Sequence, residues 1–185
     1  MLLDGWGIQD RHETLNSFIW GPDGWLYGCH GVFTQSYVGK PGTPKDQRKF
    51  IDGGIWRYHP FKKEFEVFAH GLSNPWGFDF NDMGQGFATC CVIPHLFHIV
   101  QGGYFTKQSK PHKNPYVYKP IETIRDHHHL SAHGGARFYL ADTFPPSYRD
   151  QLFMCNIHQH EVLIDFMERN GSGSVSYTHL TLPTS

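Results

Sequence analysis

The chain has 185 residues, of which 39% are hydrophobic and 18% charged, and its formal net charge is -1. That is the length of one ordinary domain, too apolar for a disordered segment and too poor in charge for a coiled coil. With 16 Lys+Arg against 17 Asp+Glu, no basic surplus points to a nucleic acid partner. The departures from average are 16% aromatics, 20 Gly, 12 Pro and 14 His, a mixture that favours short strands and tight turns and predicts an all-β fold.

At the N-terminus, Asp4, Gly5 and Gly7 arrive before any apolar run long enough for a signal peptide or a membrane span, so neither is expected in this chain. Next, Ser17 to Trp20, the corner Gly21-Pro22-Asp23-Gly24 and Trp25 to Cys29 read as strand, turn and strand. Proline pre-sets the first central φ of the turn and glycine frees its end. Gly53 to Pro60 and Phe65 to Phe68 read as two further strands. The pattern then recurs about 60 residues later, where Phe18, Gly24 and Tyr27 are matched by Phe78, Gly84 and Phe87 across Trp76 to Phe80 and Gly86 to Cys90. A third copy runs through Gly135 to Leu140, Gln151 to Cys155 and Glu161 to Ile164. A four-stranded unit at this interval is the signature of a β-propeller blade, with a β-sandwich of similar hairpins as the alternative.

Two loop-rich insertions lie between the blades, Gln35 to Arg48 and Tyr104 to His133, and loops of this kind on a rigid scaffold carry function. The final stretch, residues 170–185, changes to Gly-Ser repeats and then resembles translated sequencing-adaptor read-through, so the propeller is expected to occupy residues 1–169. Four cysteines without C-x-x-C or C-x-x-C-H spacing encode neither a zinc ribbon nor covalent haem attachment. Cys29, Cys90 and Cys155 are expected near the end of the second strand of successive blades, packing the inner ring, while the neighbours Cys90 and Cys91 could form a vicinal disulfide.

Three phrases occur in order: G-P-D-G-W-L-Y from Gly21, G-L-S-N-P-W-G-F-D-F from Gly71, and F-Y-L-A-D-T-F-P-P-S-Y-R-D-Q-L-F from Phe138. Together they resemble the glucose/sorbosone-dehydrogenase type of six-bladed propeller. More closely, Gly7 to Glu168 resembles the membrane-bound dehydrogenase domain of planctomycete and verrucomicrobial haem-binding proteins. The resemblance implies about three blades of a six-bladed ring. It implies oxidation of a sugar or alcohol with pyrroloquinoline quinone, electrons passed to a cytochrome c module outside this chain, and a periplasmic or cell-envelope location.

Residue by residue, the resemblance makes His12, ahead of the first hairpin, the candidate general base, a task suited to imidazole with its ordinary pKa near 6.5. It makes Asn74 a cofactor contact, but places Ser73 where the family carries an Arg against the quinone carboxylates. The acidic loop that helps bind calcium in the sugar dehydrogenases is replaced by a segment carrying His95 and His98, which are taken with Asn74 as the cofactor-facing set. His127, His129 and His133 form a candidate metal group of imidazoles beside Asp126. His158 and His160 would share one face at a strand start. The competing reading is a propeller that binds carbohydrate or protein without redox chemistry, its tryptophans serving as stacking platforms.

Overall fold

The computed structural model describes residues 1–92, 94–124 and 132–183, with side chains as far as Ser176. Thirteen strands carry the fold, joined by turns and two single 3-10 turns, and no α-helix occurs among the described residues. Among the described residues no helix is long and apolar enough to cross a membrane. Blade 1 is built from β1 (Leu15–Trp20), β2 (Leu26–His30), β5 (Gly54–His59) and β6 (Glu64–His70), hydrogen-bonded in that order. Blade 2 contains β7 (Pro75–Phe80), β8 (Gly86–Cys90) and β9 (Leu96–Ile99). Blade 3 contains β10 (His133–Phe138), β11 (Leu152–Asn156), β12 (Glu161–Asn170) and β13 (Gly173–Pro183). The first strands β1, β7 and β10 pack side by side and form the inner wall, as the propeller expectation requires.

Two details differ from the sequence reading. Blade 2 has three strands, because after β9 the turn at Gly102 and Gly103 leads the chain back to blade 1, where Phe105 N–H donates to His70 O at 2.8 Å. The insertion after β2 is partly regular: β3 (Ser36–Val38) pairs with β4 (Lys49–Ile51), and Asp4 bridges to Gly39, so the N-terminal residues extend this small sheet. In blade 3, β13 pairs along β12 as the outer strand.

Burial follows the seams between blades. Tyr27, Ile55, Leu72, Phe78, Phe97 and Phe105 share one core cluster between blades 1 and 2. A smaller one, with Phe87, Leu96, Ala136, Phe138 and Leu152, joins blades 2 and 3. A third covers the outer face of blade 1, where Val38, Ile51, Trp56 and Tyr58 pack under Leu3 and Trp6. Two glycines mark where side chains would not fit. A Cβ on Gly28 would lie 2.3 Å from the Trp56 ring, and one on Gly77 would lie 2.4 Å from the Gly135 carbonyl carbon. The inner strands of blades 2 and 3 therefore approach backbone to backbone.

The repeat also fixes the cysteines. At the interval that matches Phe18 with Phe78, Cys29 corresponds to Thr89 and His30 to Cys90, a one-residue offset from the expected equivalence of Cys29 and Cys90. One residue in a strand reverses the face. Cys29 accordingly meets the Gly77 backbone of blade 2, and Thr89 Oγ1 donates to Gly135 O of blade 3 at 2.7 Å. Cys155, opposite Gly134 as Cys29 is opposite Asn16, is exposed rather than packed. All four thiols are free, so Cys90 and Cys91 do not form a vicinal disulfide.

Candidate functional site

Each inner strand begins at the same end of the wall and carries an irregularity in its pairing, between Asn16 and Ile19, Pro75 and Gly77, and Gly134 and Arg137. Such bulges re-aim side chains at the rims of closed sheets. The residues leading into the strands, Glu13, Asn74 and His133, therefore gather at one mouth. Backbone bonds stitch them across the blades: Cys91 N–H donates to Asn74 O at 2.9 Å, and His133 N–H donates to Cys91 O at 2.9 Å. From blade 1, Asn16 Nδ2 donates to Pro75 O at 3.3 Å. Deeper along the wall, Ser17, Phe18, Gly77, Phe78, Gly135 and Arg137 help line a cavity of about 140 Å³.

The side chains at this mouth differ in freedom. The His12 ring is 96% exposed, with Nδ1 3.4 Å from Asp10 Oδ1, while its backbone N–H donates to the same oxygen at 2.9 Å. Glu13 beside it is buried and accepts Val32 N–H at 2.9 Å and Phe33 N–H at 2.7 Å through Oε2. Burial pushes its carboxyl above the usual carboxylate range against the pull of those two donors. Burial, with Glu13 close by, likewise raises the half-buried Cys91 thiol. The sequence reading passed over Glu13, although an acid between His12 and the first strand was visible there.

Asn74 is buried in the left-handed region at φ 57, and its Oδ1 accepts the indole N–H of Trp76 at 3.1 Å. Trp76 is the unpaired residue in the β7 bulge and stands 36% exposed on the inner wall. The sequence offers it only as one of several tryptophans that could serve as stacking platforms. Its signal was the Asn-Pro-Trp-Gly phrase, in which a bulge could already have been suspected. Ser73 is only 1% exposed.

The histidines divide among separate places. His95 is fully buried, with Nε2 3.2 Å from Asp165 Oδ2, and its ring lies 4.8 Å from that of His133. His98 lies flat on Phe87 at 4.6 Å, and burial lowers its pKa. Thus Asn74 reaches the mouth, His95 lies inside the seam between blades 2 and 3, and His98 packs on that seam's core. Of the candidate metal group, His133 enters the mouth through its backbone, while His127 and His129 lie outside the described residues. His158 and His160 occupy the exposed turn between β11 and β12, where Asn156 Oδ1 accepts the His158 N–H at 3.1 Å. Among the described residues no three His, Cys, Asp or Glu side chains converge to hold a metal ion.

Comparison with known proteins agrees with this architecture. The PQQ-bound form of aldose sugar dehydrogenase from Streptomyces coelicolor aligns over 91% of this chain and 49% of its own, at 17% identity and a TM-score of 0.59. A Thermus thermophilus protein assigned as an oxidoreductase (glucose dehydrogenase) aligns over 89% of this chain and 53% of its own, at 16% identity and a TM-score of 0.54. The chain thus spans about half the length of these structures and shares their fold. No curated protein matches it. Residues 1–178 match the family described as Domain of unknown function (DUF7133), and the chain belongs to that family.

Proposed function

We propose that the chain is part of a dehydrogenase-like propeller that receives a sugar or alcohol at the channel mouth, with His12 as proton acceptor and Asn74 as a positioning donor. The observation that carries this reading is the convergence of residues from three blades on one end, blades 2 and 3 joined by backbone bonds and blade 1 tied in by the Asn16 amide on Pro75 O. Glu13, pinned by two N–H groups, fixes the loop while leaving the neighbouring imidazole of His12 in solvent, free to take a hydroxyl proton. Trp76 occupies the Asn74 carbonyl oxygen, so the Asn74 amide N–H groups are left to donate, and the indole face offers a surface for a sugar ring.

The likeness to a PQQ-bound enzyme favours a quinone as hydride acceptor, but the described residues do not fit its carboxylates. Ser73 is buried where a guanidinium would be wanted, and Glu13, Asn74 and Cys91 bring no fixed positive charge to the mouth. Deeper along the wall Arg137, 67% exposed and 3.7 Å from Asp79 Oδ1, offers one guanidinium, which is too few for three carboxylates. No group of three acidic side chains that could hold calcium stands among the described residues either. Delivery of electrons to a cytochrome c module and residence in the periplasm or envelope belong to the same reading and rest on the family resemblance.

Ser73 supports a second reading, a carbohydrate- or protein-binding propeller without redox chemistry. The two separate on reconstitution of the protein with pyrroloquinoline quinone and calcium, followed by dye reduction over a panel of sugars and alcohols. The dehydrogenase reading expects turnover that falls about 100-fold or more in His12→Ala, the scale of a lost general base. Sugar binding without dye reduction would replace it with the second reading.

A further inference from the structure

The insertion after β9 encloses a cavity of about 360 Å³ that the channel mouth does not use, lined in part by Thr106, Lys107, Ser109, His112 and Asn114. We propose that this cavity is a separate binding site for a small hydroxylated anion of monosaccharide size, such as a sugar acid or a sugar phosphate. The proposal does not rest on the dehydrogenase reading.

The charge is built in rather than displayed on the surface. The Lys107 side chain is only 2% exposed, and its Nζ lies 2.8 Å from Asp52 Oδ2. An ammonium has three donors, and among the described residues Asp52 takes one with no second acceptor in reach. Holding such a pair out of water costs more than it returns unless something completes it. Around it, Lys119 is matched by Glu122 at 3.0 Å, but Lys110 and Lys113 have no carboxylate partner among the described residues, so the insertion concentrates positive charge in a chain whose net charge is -1. Lys110 lines an adjoining cavity of about 240 Å³ together with Asp52 and Ser109, so anion-binding groups stand on both sides of the ion pair.

Hydroxyl recognition is equally prepared. His112 Nε2 lies 2.7 Å from Phe105 O, a carbonyl that can only accept, so Nε2 carries the proton and Nδ1 presents a lone pair. Nδ1 has no partner among the described residues. Burial first, then the charge of Lys107, holds this imidazole below its ordinary pKa and therefore neutral near pH 7. Thr106 contributes a second unfilled group: its N–H donates to Ile121 O and its carbonyl accepts from Leu72, yet its buried Oγ1 has no partner. A buried hydroxyl left in this state calls for a ligand or water to complete it. The wall is stiff, since Tyr104 stacks flat on His70 at 4.5 Å, meets the His112 edge at 5.1 Å and accepts from Asn114 Nδ2 at 3.0 Å.

Isothermal titration of the full chain with gluconate, glucose 6-phosphate and glucose tests the site. Gluconate, glucose 6-phosphate or both should bind at least tenfold more tightly than neutral glucose, and the preferred anion tells carboxylate from phosphate. Thr106→Val, which removes the hydroxyl at constant shape, and the double variant Lys107→Met with Asp52→Asn, which leaves no orphaned charge, should each lower that affinity at least tenfold without moving the channel-mouth assay. In the unaltered protein, the His112 imidazole resonances should shift on addition of the preferred anion and stay put with glucose. Equal weak binding of all three compounds, unshifted His112 resonances, or full affinity in both variants would overturn the proposal.

Discussion

Blades 1 and 2 are joined mainly by rings, whereas blades 2 and 3 are joined by fewer rings and more polar bonds. In the first seam Tyr27 packs on Phe78 at 5.5 Å, on Phe80 at 5.1 Å and on Phe68 at 5.1 Å, with Leu72 and Phe97 behind them. In the second, Asp79 Oδ2 accepts Phe138 N–H at 2.9 Å, Thr89 Oγ1 donates to Gly135 O at 2.7 Å, and His95 faces Asp165 at 3.2 Å. Area secures the first seam in any solvent that keeps water away from rings, while geometry and protonation secure the second. The same propeller contact is thus made by two kinds of physics, and the two should fail under different insults.

The largest effect should come from the apolar seam. Phe78→Ala removes a ring 2% exposed at its centre and should cost about 3–5 kcal/mol in denaturant unfolding. A loss below about 1 kcal/mol would show that the rings are not what joins the blades.

Acid should act next, through the small sheet that covers blade 1. His30 is buried, with Nδ1 donating to Gly31 O at 2.8 Å and Nε2 accepting from Ser36 Oγ at 2.7 Å, while Ser36 Oγ accepts Gly7 N–H at 2.7 Å. Burial lowers its pKa from 6.5 to about 4. The unfolded chain therefore binds the proton first, and stability should fall as pH drops from about 6.5 towards 4, by on the order of 3 kcal/mol in all. Chemical unfolding of His30→Gln across that window should show a flatter slope, and an unchanged slope would assign the acid sensitivity elsewhere.

Asp79 carries the opposite sign. Its carboxyl is raised by burial, which outweighs the Phe138 and Phe80 N–H bonds and the nearby Arg137. The folded state then keeps the proton longer, so this residue's contribution is full below 3.8 and declines as pH climbs from there through the raised value. Asp79→Ala should cost about 1–3 kcal/mol by leaving Phe138 N–H unpaired, and should remove that decline. Thr89→Val keeps the shape and loses the bond to Gly135, for about 0.5–1.5 kcal/mol, the smallest change of the four. If Thr89→Val cost as much as Phe78→Ala, the contrast between the seams would collapse.

The seams also mark how far the sequence could be read. The hairpin turns and the alternation of Phe18, Tyr27, Phe78 and Phe87 were visible because they obey local rules, and the blade repeat followed from them. The three-stranded blade 2 was not visible, since it depends on where the chain goes after Gly102, a choice settled by the bond from Phe105 to His70. The offset between Cys29 and Cys90 was hidden for a related reason: chemical identity suggested equivalence where strand register did not. At the mouth, Asn74 was found through its motif. Glu13 was not legible, because its place comes from a pair of loop amides, and Trp76 was legible as a stacking ring but not as the unpaired residue of a bulge.

The bonds that join Asn74, Cys91 and His133 use main-chain atoms alone. Between blades 2 and 3 the mouth is therefore a frame held by the main chain, whereas blade 1 is tied to it through the Asn16 side chain. A lineage can alter a partly buried side chain such as that of Cys91 without breaking these bonds. Shape would then persist while chemistry drifts, so ligand preference in these propellers would have to be settled protein by protein, at the rim.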